Sequence, residues 1–134
     1  MNFFFENIEP LAIEDQVKTW LNSHVTAEGR KPGDINFIFC DDEYLLTINR
    51  EYLQHDYYTD IITFDYVHGK IISGDIFISL QRISDNAETH DNTYENEFRR
   101  VLAHGLLHLC GYKDKTAEET AVMRTKEDFY LSRF

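Results

Sequence analysis

Apolar residues recur along this chain in two rhythms. Ile13, Val17, Trp20, Leu21 and Val25 fall at helical spacing in IEDQVKTWLNSHVTAEG, and Gly29 closes the run. Phe98, Val101, Leu102, Leu106 and Leu109 repeat the spacing in TYENEFRRVLAHGLLHLC, which predicts a long helix. DDEYLLTINREYL, LQRISDNAETHD and TAEETAVMRTKEDFYLSRF read as three further helices, the first with acidic residues in its opening turn. Between them lie the strand signals NFFFEN, DINFIFC, DIITFDYV and IISGDIFIS. Pro32 and Gly33 mark a turn, QHDYYT a polar loop, and HGK a hairpin connection. Strands and helices are mixed and two strands are hairpin neighbours. The expected class is therefore α+β: a single domain over residues 1–134, with a small mixed sheet covered by helices.

Composition narrows the function. A chain of 134 residues with two prolines and six glycines can form one packed core and is not fibrous or disordered. Its formal net charge of −11 repels phosphates at long range, so any RNA or DNA contact needs a local basic patch or a bound cation. Cys40 and Cys110 form no disulfide framework and suit a reducing cytoplasm as buried apolar residues. MNFFFENIEP lacks the basic start and long apolar stretch of a signal peptide, and no apolar run is long enough to span a membrane.

The segment VLAHGLLHLCGYKDKT carries the chemistry. His104 and His108 stand at i and i+4, about 40° apart around the helix and one turn along it, so both imidazoles can point at one ion. Gly111 fits the left-handed position that ends the helix, and the returning chain brings Asp114 back toward the last turns. Thr116 and Glu119 form a capping box for the final helix, which leaves Asp114 free to be the third ligand. Cys110 lies roughly 200° from His108 and should face the core. His90 is a weaker candidate, and His24, His55 and His68 read as surface or turn histidines. Three protein ligands leave a fourth position for water, the arrangement of a catalytic zinc site. Gly105, inside the helix, fits either close packing of another element or open space beside the ion.

HGLLHLCGYKD resembles the H-G-x-L-H-L-x-G-Y-D-H signature of the YbeY family, the bacterial rRNA maturation factors described as metal-dependent endoribonucleases. INREYLQHDYYTDIITF resembles a second family segment through Asn49, Tyr52, Asp56, Thr59, Asp60 and Phe64, and GDIFIS a third through Gly74, Asp75 and Ile76. The resemblance implies an α+β domain with one zinc ion on three side chains. It also implies action on single-stranded or ribosomal RNA in small-subunit 3′-end maturation and ribosome quality control, with the small subunit or its proteins as partner, in the cytoplasm, and no DNA partner is expected.

Two positions depart from the family pattern. Asp114 stands where the third histidine is normal, and a set of two histidines and one carboxylate also suits other divalent metals. Leu53 stands where the family has an arginine, so a phosphate-binding cation has to come from elsewhere: Lys113, Lys115, Arg99 and Arg100 are the candidates. No residue is assigned as general base. Asp60 fits a turn cap and Asp75 an acceptor that orients a histidine, and both also suit purely structural roles. Tyr57 and Tyr58 fit either base stacking or anchoring of their loop. A non-catalytic, metal-stabilised ribosome assembly factor is the alternative. A metallopeptidase is disfavoured, because Gly105 stands where H-E-x-x-H enzymes carry glutamate.

Overall fold

The computed structural model describes all residues from Met1 to Phe134. Its elements follow the order β1 (Asn2–Phe5), α1 (Asp15–Ala27), β2 (Lys31–Cys40), α2 (Asp42–Leu53), β3 (Ile61–Asp65), β4 (Ile71–Ser79), α3 (Leu80–Thr89), α4 (Tyr94–Leu109) and α5 (Ala117–Leu131). The strands form one mixed sheet in the order β1-β2-β4-β3. β1 and β4 run parallel to β2, and β3 runs antiparallel to β4. The α+β expectation holds.

Alternation along the strands assigns the two faces of the sheet. Ile35, Phe37 and Phe39 of β2 and Ile72, Ile76 and Ile78 of β4 join one buried cluster with Trp20 and Leu21 of α1 and Leu102 and Leu106 of α4. Helix α2 packs on the opposite face, where Cys40, Leu45 and Ile62 form a second, smaller cluster with Phe64 and Phe77 beside it. Helix α5 lies on α4 rather than on the sheet, and Met123, Glu127 and Tyr130 are its buried residues.

Local chemistry sets the helix ends. Asp41, Ser79 and Thr93 each accept a backbone N–H of the first turn of α2, α3 and α4. Thr116 and Glu119 make the anticipated capping box on α5, with both bonds at 3.0 Å.

Two expectations change, at Pro32–Gly33 and at His24, and the two readings of Asp75 resolve to the structural one. Pro32 and Gly33 lie inside β2, not in a turn. β1 pairs with β2 only from Asn36 to Phe39, so one side of the strand is open at Pro32, and the register with β4 slips between Pro32 and Ile35. Asp75 orients no histidine: it accepts from Asn36 at 2.9 Å, and Asn36 accepts from Asn2 at 3.0 Å, a polar ladder across three strands. His24 is not a surface residue but 1 % exposed, packed between Trp20 and Tyr130. No helix is long and apolar enough to cross a membrane.

Candidate metal centre

Helix α4 packs against β3 and β4, and both histidines it carries are half-buried. Gly105, between them, is forced by packing. A Cβ there would stand 2.8 Å from Ile76 Cγ2 and 3.1 Å from Ile61 Cδ1, so the glycine lets α4 approach β4 and β3 closely and opens no space for substrate. At the C-terminal end, Gly111 takes φ +102°. The Gly111 N–H donates to His108 O and the Tyr112 N–H to Leu107 O, each at 3.0 Å, which is the Schellman pattern. This turn carries the chain back past the helix end and delivers Asp114 to the histidines.

Three donor atoms converge. His104 Nε2 and His108 Nε2 are 3.0 Å apart, and Asp114 Oδ2 lies 3.1 Å from the first and 3.3 Å from the second. Each histidine is held from behind. His104 Nδ1 lies 2.7 Å from Glu127 Oε2, and His108 Nδ1 lies 3.0 Å from the carbonyl oxygen of Tyr112. Neither partner carries a proton to give, so each Nδ1–H donates and each neutral ring turns the lone pair of Nε2 inward. Two nitrogen lone pairs and a carboxylate oxygen then face one another, a set that a metal ion, or a proton on His104 Nε2, satisfies. The spacing also fits: ligands about 2.0 Å from a tetrahedral zinc stand about 3.3 Å apart. The three side chains could hold one metal ion.

The surroundings are built for charge. Glu127 is 5 % exposed. Burial would raise its pKa, but the bonds from His104 and Arg100 outweigh that and hold it below the usual carboxylate value. Burial opposes a proton on His104, yet the bond to Glu127 and the carboxylates of Glu127 and Asp114 prevail and its pKa is raised. Burial and the neighbouring His104 pull His108 down. Burial pushes Asp60 up, against the pull of His104.

The donor atoms open into a cleft of about 710 Å³ whose wall includes Leu53, His55, Tyr57, Asp60 and Lys115. Asp60, His104 and Asp114 also border a second hollow of about 220 Å³, with Arg100, Arg124 and Glu127. Of the four expected cations, only Lys115 reaches the large cleft. Arg100 is occupied, bonded to Glu127 at 2.9 Å and Asp128 at 2.7 Å, and Arg99 lies over the Phe134 ring at 3.9 Å. Lys113 faces a different hollow, beside Gly111 and Glu118. Cys110 is buried in the core, as its angle on the helix requires. His90, 62 % exposed at its side chain, lies 4.0 Å from Glu97 and contributes no atom to the convergent set.

A family model described as Endoribonuclease YbeY matches residues 4–134. The chain belongs to the YbeY family. Among YbeY relatives, an Endoribonuclease YbeY of Flavobacterium johnsoniae is 50 % identical over 134 residues, covering all of this chain and 96 % of the relative. One from Cytophaga hutchinsonii is 53 % identical, covering 97 % of this chain and 93 % of its own. The solution structure of TM1509 from Thermotoga maritima superposes with a TM-score of 0.71 at 26 % identity, covering 98 % of this chain and 87 % of that one. The YbeY resemblance of the three motifs thus extends over nearly the whole chain.

Glu127 is the site residue that the sequence reading missed. It sits 23 positions from His104 and meets it only because α5 folds onto α4. A signal existed: Met123, Glu127 and Tyr130 place a carboxylate in the apolar stripe of α5, and a buried carboxylate needs a partner.

Proposed function

We propose that the protein is a metal-dependent endoribonuclease that cleaves single-stranded RNA, with zinc on His104, His108 and Asp114, and that it acts in maturation of the 3′ end of small-subunit rRNA and in ribosome quality control in the cytoplasm. The observation that carries this reading is the convergence of three potential ligand atoms within 3.3 Å of one another in the lining of a cleft of about 710 Å³. Membership of a family described as endoribonucleases supplies the substrate class.

An ion so held supplies Lewis acidity toward a phosphodiester and acidifies water. The protein's own groups do the rest. Glu127 and the Tyr112 carbonyl fix both rings in the tautomer that keeps Nε2 free. Lys115, which lines the same cleft as Leu53, is the cation available to offset phosphate charge in place of the family's arginine. Asp60, on the same wall, is the general-base candidate: burial raises its pKa, although its carboxylate also accepts from the backbone N–H groups of Asp60 and Ile61 and, at 3.4 Å, from Asn86.

The packing at Gly105 argues against a peptidase, because a glutamate there has no room. The test is incubation of metal-loaded protein with single-stranded RNA and with a peptide library. RNA cleavage that disappears in His104→Ala is the expected result. Silence on both substrates, with retained co-sedimentation with small ribosomal subunits, supports the assembly-factor reading instead.

A further inference from the structure

The segment joining α2 to β3 contributes to the cleft wall, and it is held at several points. Helix α2 ends with Gln54 at φ +56°, and the His55 N–H donates back to Asn49 O at 3.1 Å. The Asn49 side chain, buried to 1 % exposure, donates to Tyr57 O at 2.9 Å. Tyr58 does not face the cleft; its hydroxyl donates to Glu43 at 2.6 Å. These ties fix the two rings between them. His55 and Tyr57 stack at 5.1 Å with 19° between their planes, their polar atoms 2.9 Å apart, and both line the cleft that holds the three donor atoms. Tyr57 is nevertheless 55 % exposed. A large aromatic surface is thus held in place and left uncovered.

The charge of the cleft says what this surface is for. Lys115 is the one lysine or arginine in its wall, against Asp60, Asp65 and Asp114, and the whole chain carries −11. Ordinary electrostatic tracking of a phosphate backbone is therefore weak here, and affinity for a polyanion has to come from contacts to its uncharged parts. Base stacking on aromatic rings is such a contact, and it costs little ordering when the platform is already fixed.

We propose that the His55–Tyr57 pair is a nucleobase-stacking subsite that seats one base of a single-stranded RNA beside the metal centre. The proposal rests on the endoribonuclease reading and adds a specific contact to it. The platform positions the strand, and Lys115, in the same cleft as the residues that would hold the ion, takes the adjacent phosphate. Because few protein cations take part, the affinity changes little with salt.

The test is fluorescence anisotropy of labelled single-stranded RNA oligonucleotides with the metal-loaded protein, using a series in which one base at a time is removed. In the parent, removal of one particular base weakens binding by about tenfold. Tyr57→Ala binds the intact strand about tenfold more weakly and no longer responds to the missing base, while Tyr57→Phe, which keeps the ring, behaves as the parent. The slope of log affinity against log salt is about −1 or shallower. A base-removal profile that is the same in Tyr57→Ala as in the parent, or flat in both while RNA is still cleaved, overturns the subsite alone. Absence of both RNA binding and cleavage in the parent overturns the endoribonuclease reading, and the subsite with it.

Discussion

Glu127 Oε2 accepts the Nδ1–H of His104 at 2.7 Å, and through this bond helix α5 sets the ring plane and tautomer of a residue on α4. The same carboxylate receives Arg100 at 2.9 Å, so it stays ionised although buried. The bond ties the C-terminal helix to the candidate metal centre.

Glu127→Gln should weaken metal binding by about 10–100-fold, because the amide no longer stabilises the donating Nδ1–H to the same degree. Competition with a chromogenic chelator measures this directly. An affinity equal to that of the parent would show that the bond only packs α5.

Asp60→Asn keeps the shape of the cleft wall and removes the carboxylate proposed as general base. It should lower kcat for RNA cleavage by about 10²–10⁴-fold with metal content unchanged. Single-turnover cleavage beside elemental analysis checks both halves of the prediction.

His24 lies in the core with neither ring nitrogen bonded. Burial lowers its pKa to about 4, and Glu28 opposes that only in part. The folded state therefore refuses a proton that the unfolded chain accepts below its ordinary value of 6.5. The stability tied to this residue is complete above that value and is lost as the pH falls toward 4, a change on the order of 3 kcal/mol. Urea unfolding across this range should give a shallower acid loss for His24→Leu than for the parent. Parallel curves would contradict the assignment.

Gly105→Ala opposes two effects. Helix propensity favours alanine by about 1 kcal/mol. The added methyl, 2.8 Å from Ile76 Cγ2, forces α4 off the sheet at a cost of about 1–3 kcal/mol. Contact with β-branched neighbours in a filled core should win, giving a lower urea midpoint and a displaced pair of histidines. A higher midpoint would show that Ile76 can move aside.

Much of this was legible because the decisive contacts are local. His104, His108 and Asp114 lie within eleven positions, and helix spacing with a glycine stop suffices to bring them together. The capping box at Thr116 freed Asp114 by elimination, and the structure has that box. Long-range partners were not legible in the same way. Glu127 reaches His104 only through helix packing, and Asp75 was drawn to Asn36 by strand register that no single segment encodes. His24 looks like a surface residue by type, but it shares the buried face of α1 with Trp20, Leu21 and Val25, and its position outweighs its polarity. Pro32 and Gly33 look like a turn in sequence, and the slipped register of β2 absorbs them.

The most direct test is elemental analysis of protein purified without an affinity tag, beside His108→Ala prepared in the same way. Roughly one divalent transition-metal ion per chain in the parent, and close to none in the variant, is the predicted result. A folded parent that carries no metal, and takes up none when zinc is supplied, would contradict the account at its centre.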